Sequence, residues 1–296
     1  MRILSHTVAA GEDGLTVRQL LRSLWHIDHA LLSRLKFRNA ITLNGTPVTV
    51  RAVARTGDLL CADVSDLPGE NPHIQPVDFP LDVLYEDDDL LLLNKPAGIA
   101  LHPAALTEES VTLAGAVAFY LHSDTFHAVN RLDRGTTGIM AVAKTGFVHA
   151  RYMAQLHTPD FQRDYRAVCE GVPQPPEGDI DLPLSRAEGS LLKRRPDPAG
   201  QSAHTHYQVL ETAQGRALLR LTPTTGRTHQ LRVHMAAIGH PLTGDWLYGT
   251  EDRALIARPA LHSYHLRMLH PVTGAVIDVT APLPEDIQRL LKEERL

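Results

Sequence analysis

The chain has 296 residues, 43% of them hydrophobic and 21% charged, the balance of a folded soluble protein with one large domain and room for a small one. No apolar run approaches the ~20 residues of a membrane span, the first ten residues lack the apolar core of a signal peptide, and Cys61 and Cys169 suggest neither a disulfide framework nor a cysteine zinc site, so a reducing cytoplasm is the expected home. The net charge of −5 argues at first against a nucleic-acid partner, but residues 61–90 hold nine acids and no Lys or Arg, so the rest of the chain is net positive.

In chain order, Gly14–Trp25 reads as an amphipathic helix with Thr16 as N-cap and Leu20, Leu21 and Leu24 on its apolar face. Asp28 caps a second short helix, His29–Lys36. Ile41–Val48 is a strand broken by the Asn44-Gly45 turn, a strong hairpin signal. Leu59–Val64 supplies a further strand. Residues 1–60 hold eight Lys or Arg against four acids, with Arg34, Lys36 and Arg38 clustered on the second helix. The Pro- and Gly-rich stretch 67–80 reads as a linker, giving an N-terminal module 1–66 and a main domain 81–296, with the acidic segment setting the basic module apart.

Beyond the linker, Leu81–Tyr85 and Leu90–Leu93 form a hairpin pattern around the acidic run 86–89, which reads as a solvated turn. Helices are predicted at Val111–Leu121, Phe147–Leu156, His229–Ile238 and Glu285–Leu291. Strands are predicted at Tyr165–Cys169, His204–Leu210, Ala217–Thr222, Leu266–Leu269 and Val276–Val279. The fold class that follows is α+β, a mixed, largely antiparallel central sheet with flanking helices.

The stretch from Val129 to Lys144 carries the chemistry. Asp133 sits between Arg131 and Arg134 at a Gly/Thr bend joining two apolar runs. Flanking cations favour its ionised form, and a carboxylate so displayed can act as nucleophile or base. The 17 histidines show no metal-ligand spacing with defined roles, and there is no Gly-x-Ser-x-Gly elbow, Walker loop or dinucleotide fingerprint. No metal site is expected.

Residues 129–144 resemble, nearly letter for letter, the signature of the RluA-type pseudouridine synthases; Asn130 stands where the family usually has histidine, and Thr137 where it usually has serine. Four further segments resemble family motifs in family order: Lys95 to Pro103, Arg163 to Val168, Gly226 to Gly249 and Leu261 to Gly274. The two short helices and small hairpin at the N-terminus are similar to the S4 RNA-binding module.

The resemblance implies isomerisation of uridine to pseudouridine in RNA, rRNA or tRNA. The N1–C1′ bond breaks, the uracil turns, and C5 joins C1′. Nothing is gained or lost, so no cofactor and no metal are called for. It also implies that Asp133 is the catalytic carboxylate, that Arg232 pairs with it bidentately, and that Tyr165 stacks on the uracil and helps remove a proton. Arg131 would fill the gap left by the flipped nucleotide. Lys95, Arg227 and His229 would orient phosphates or brace the loop, and Arg134, Arg34, Lys36 and Arg38 would meet the RNA. The expected working unit is a monomer. Attack of Asp133 on the base and attack on C1′ both fit these residues. The alternative is a non-catalytic RNA-binding or ribosome-assembly factor on the same fold. An aspartate-nucleophile hydrolase is disfavoured, because no second carboxylate partners Asp133 at a recognisable spacing.

Overall fold

A computed structural model describes residues 1–67, 74–102, 111–156 and 158–292. The first 66 residues comprise β1 (Ile3–Thr7), α1 (Val17–Trp25), α2 (His29–Phe37), β2 (Ile41–Leu43), β3 (Thr46–Pro47) and β4 (Leu59–Asp63), with strand order β1-β4-β2-β3. Thr16 caps α1 by accepting from the Gln19 backbone, and the Gln19 side chain accepts from the Thr16 N–H at 2.8 Å. Asp28 accepts from the Leu31 N–H at 2.7 Å to cap α2. Asn44 and Gly45, with φ of 50° and 78°, supply the left-handed turn that the hairpin needs. Strand β1 has no signal in the sequence pattern. It lies at a sheet edge and buries only Leu4, so its residues carry no apolar alternation.

The main sheet draws on β5 (Val83–Glu86), β6 (Leu90–Lys95), β7 (His127–Ala128), β8 (Thr137–Ala143), β9 (Gln162–Glu170), β10 (Glu177–Asp181), β13 (His204–Ala213), β14 (Arg216–Pro223), β15 (Leu261–Leu269) and β16 (Val276–Thr280). A separate hairpin joins β11 (Leu184–Arg186) to β12 (Arg194–Pro196). The helices are α3 (Leu113–Leu121), α4 (Gly146–Gln155), α5 (Gln230–Ala237) and α6 (Glu285–Arg289). The strand order is β10-β13-β14-β9-β15-β8-β6-β5, with β16 beside β15 and β7 beside β8. Among these pairs only β15 and β8 run parallel, so the sheet is mixed and largely antiparallel.

At β6 and β8 both faces of the sheet are covered. Along β6, Leu90 and Leu92 enter one core while Leu91 and Leu93 enter the other; along β8, Ile139 and Ala141 alternate with Met140 and Val142 in the same way. A strand buried on both faces reads as an unbroken apolar run, which is why β8 shows no period of two in the sequence.

The N-terminal module is not held apart by the acidic segment. Leu4, Leu20, Leu35 and Leu60 share one core with Leu90, Ile139, Phe147 and Met268. Polar contacts lock the seam: Asp66 bonds His127 at 2.8 Å and accepts from the Gly146 N–H at 2.9 Å, and Arg151 donates to the Trp25 carbonyl at 2.8 Å. The run 86–89 is correspondingly more than a solvated turn. Asp87 accepts from the Asp89 and Leu90 N–H groups, and Asp89, only 2% exposed, takes both arms of the Arg2 guanidinium at 2.6 Å. Part of the negative charge of this stretch, at Asp89, thus serves docking of the module. Of the predicted linker, residues 68–73 lie outside the described residues.

Arg2→Met should therefore strand Asp89 and cost roughly 3 kcal/mol of unfolding free energy in denaturant melts. Adding Asp89→Asn should restore part of the loss. An Arg2→Met melt equal to wild type would show the pair to be idle.

Candidate active site

Asp133 stands in the loop that leads from β7 into β8. The loop closes on itself through the Thr136 N–H, which donates to the Asp133 carbonyl at 3.0 Å. Its backbone is then held from several sides. Lys95, 1% exposed, donates to the carbonyls of Pro96, Arg134 and Thr136 at 2.9, 3.1 and 3.1 Å. The Gly98 N–H donates to the Arg134 carbonyl, and Arg134 Nε donates back to the Gly98 carbonyl, both at 2.9 Å. Arg258 reaches the Gly135 carbonyl at 3.3 Å while paired through its other arms with Asp286. Asn130 clips β8 from behind, donating to the Ile139 carbonyl and accepting from the Ala141 N–H.

Gly138 is required by space. It has φ of 101°, and a Cβ there would lie 2.2 Å from the Ser263 carbonyl oxygen on β15. Any other residue would force apart the single parallel strand pair beneath the loop.

Across the cleft, α5 presents Arg232, and here the geometry departs from expectation. Arg232 pairs bidentately with Asp245, Nε and Nη2 each at 2.7 Å, and gives Asp133 only Nη1, at 3.4 Å. Asp245 is fully buried and also accepts from the Leu247 N–H. Burial by itself would push the Arg232 guanidinium down; the carboxylates of Asp245 and then Asp133 more than offset it, so its pKa is raised. The residue that sequence reasoning passes over is Asp245. It lies inside the Gly226 to Gly249 motif, but nothing in the spacing ties it to a helix that starts fifteen residues earlier.

Asp133 is 27% exposed at its side chain and opens onto a cleft of about 640 Å³. Tyr165 on β9 lines this cleft with only 7% exposure, and its burial raises the phenol pKa, so the hydroxyl keeps its proton at neutral pH. His229 Nε2 lies 3.9 Å from Asp133 Oδ2. Arg131 and Arg134 are exposed on the rim. Arg227 is half-buried and donates to the Ser202 carbonyl at 3.0 Å. Asp133, Tyr165, Arg232, Arg131, Arg134, Arg227 and His229 thus converge on one cleft. Lys95 does not line it; of its two expected roles, the geometry is that of the brace. Pro103, the end of the first motif, lies outside the described residues.

Arg34 and Lys36 on α2, and Arg38 just past its end, do not line this cleft. Arg34 and Lys36 are exposed, whereas Arg38 donates to the Ser65 carbonyl at 2.8 Å and faces Asp63, so its charge is engaged within the protein. Among the described residues no helix is long and apolar enough to cross a membrane.

Residues 89–237 match the sequence profile of a family described as RNA pseudouridylate synthase. The chain is 39% identical over 273 residues to an uncharacterized RNA pseudouridine synthase of Bacillus subtilis, covering 90% of this chain and 95% of that one. It is 36% identical over 298 residues to the ribosomal large subunit pseudouridine synthase D of Zymomonas mobilis, covering 90% and 93%. The solved structure of human RNA pseudouridylate synthase domain containing 4 superposes with a TM-score of 0.56 and 25% identity, over 70% of this chain and 90% of that one.

The brace carries a pH signature. Burial lowers the Lys95 pKa from 10.5 to about 8, Asp133 opposing the shift. The unfolded lysine holds its proton up to about pH 10 while the folded one gives it up from about 8, so the folded state is relieved of a buried charge as pH rises between them. Wild-type stability relative to Lys95→Met should climb by roughly 3 kcal/mol from pH 7 to 10.5 in chemical melts. A difference that stays flat with pH would mean that Lys95 titrates normally.

Proposed function

Because the chain belongs to the RNA pseudouridylate synthase family, we propose that Asp133 is the nucleophile with which it isomerises uridines of large-subunit ribosomal RNA. The observation that carries this reading is the presentation of Asp133. Its Oδ2 meets one nitrogen of a guanidinium whose other two are occupied by Asp245, at the mouth of a cleft walled by Tyr165. The rRNA substrate is taken from the relatives named as ribosomal large subunit enzymes.

In the reaction the N1–C1′ bond breaks, C5 joins C1′, the C5 proton leaves and N1 takes one. The product is an isomer, so nothing is consumed. Arg232 gives Asp133 a counter-charge and fixes which oxygen points at the nucleotide. Tyr165 offers a flat face for the flipped uracil and a phenol within reach of its C5 edge. Arg131, exposed on the rim, takes the place vacated in the RNA, offsetting part of the few kcal/mol that flipping costs. A binding-only factor would have no need of Asp133, Tyr165 and Arg232 together, and all three are present.

The N-terminal module is the S4-like RNA grip in this proposal. Its support is the exposed pair Arg34 and Lys36 on α2, next to Phe37, which is 91% exposed. The enzyme works as a cytoplasmic monomer, which sedimentation of the purified protein would check.

Mapping pseudouridines in ribosomal RNA from cells with and without the gene should reveal sites that vanish with the gene and return with the wild type. Asp133→Asn should return none, with folding and RNA affinity nearly intact. Arg232→Lys should restore activity only partly, since an ammonium lacks the planar fork that binds Asp245 while reaching Asp133. Full modification by Asp133→Asn would sink the assignment.

The grip has its own readout. Arg34→Gln with Lys36→Gln should flatten the log–log salt dependence of RNA binding by about 0.7 to 0.9 for each phosphate no longer neutralised. An unchanged slope would make these residues solvated surface.

A further inference from the structure

His229 Nε2 lies 3.9 Å from Asp133 Oδ2, and its other nitrogen is engaged in a way that fixes its proton. His229 Nδ1 lies 2.9 Å from the Tyr248 hydroxyl, and that hydroxyl accepts the Arg194 backbone N–H at 2.8 Å. Having accepted from the backbone, the hydroxyl has its own proton to give. Among the described residues that proton has no other acceptor than His229.

We propose that Tyr248 locks His229 as the Nε2–H tautomer, making His229 a second positioning residue that donates to Asp133 and ties the nucleophile to the β11–β12 hairpin. The opposite tautomer would leave the phenol proton without an acceptor among the described residues and aim the Nε2 lone pair at a carboxylate. Burial raises the Tyr248 pKa and lowers that of His229, so both are neutral near pH 7, as the relay requires.

Packing holds the ring in place. The His229 and Tyr248 rings meet edge to face with centroids 5.6 Å apart, and the Arg232 guanidinium lies over the Tyr248 ring at 5.1 Å. One tyrosine thus supports both donors that face Asp133. His229 also has a left-handed backbone, φ 58°, at the start of α5, a conformation that costs energy in a non-glycine residue and gathers at working sites. The 3.9 Å gap to Asp133 Oδ2 is longer than a hydrogen bond, as catalytic contacts often are before substrate binds, and the relay requires it to tighten in the RNA complex.

The far end of the relay is on the hairpin. Arg194 opens β12, and just before it Leu191 and Leu192 are 74% and 60% exposed beside the exposed Lys193. A shift of this hairpin moves the backbone N–H that orients Tyr248, and through it His229.

This inference rests on Asp133 being the nucleophile, and the experiment separates the two. The full chain, labelled with [15N]histidine, is studied by NMR near pH 7, with His229 assigned from its loss in His229→Gln. The expected spectrum has the His229 proton on Nε2 and a hydrogen-bonded, unprotonated Nδ1. Tyr248→Phe, which keeps the ring, should weaken that preference and slow single-turnover isomerisation about 10- to 100-fold, with RNA affinity kept within about twofold. His229→Gln, whose amide can still donate, should retain more rate than His229→Ala. A proton on Nδ1 in the wild type, or a Tyr248→Phe variant turning over at the wild-type rate, overturns the relay. A wild-type protein that isomerises no RNA overturns the nucleophile reading instead, while the spectrum still decides the tautomer.

Discussion

A guanidinium sealed in the interior must have a counter-charge, and Asp245 meets that demand for Arg232 through two hydrogen bonds of 2.7 Å. The consequence reaches the rest of the cleft. With its fork taken, Arg232 can offer Asp133 only its remaining nitrogen, at 3.4 Å. A bidentate pair with Asp133 would have bound both carboxylate oxygens and blunted them. The observed arrangement orients the carboxylate through Oδ2 while leaving one oxygen unclaimed by Arg232.

The loop that carries Asp133 is organised on the same logic. Two further cations hold its carbonyls rather than its carboxylate: Lys95 takes those of Arg134 and Thr136, and Arg258 takes that of Gly135. Anchoring through the backbone fixes the position of the side chain without competing for its charge. Gly138 completes the footing by letting β8 lie against β15 where a Cβ would collide with Ser263. Burying a lysine costs free energy, visible as its lowered pKa, and the cost falls on a residue whose three acceptors belong to this loop or to its neighbouring turn.

The N-terminal module follows a different constraint. Its small sheet and two helices share an apolar core with the main sheet, and the Arg2–Asp89 pair closes the seam. The shared core places the module directly against the main sheet.

Much of this was legible in the chain itself. Thr16 and Asp28 announced their helices, Asn44-Gly45 its turn, and the Asp133 loop its chemistry, because caps, turns and a carboxylate between cations are set by neighbours in sequence. Asp133, Tyr165 and Arg232 could be singled out from motifs, and the fold brings all three to one cleft. Other features had no local signal. Strand β8 is apolar throughout because both faces are buried, β1 is an edge with one buried side chain, and the acids at 87 and 89 looked solvated until Arg2 was placed against them. Lys95 read either as a cation that orients phosphates or as a brace for the loop, and its three carbonyl partners have the geometry of the brace. Residue types and their near neighbours fix which chemistry is on hand. Which carboxylate takes the fork of Arg232, and which nitrogen of His229 keeps its proton, depends on contacts between segments far apart in the chain, and only the folded structure sets those.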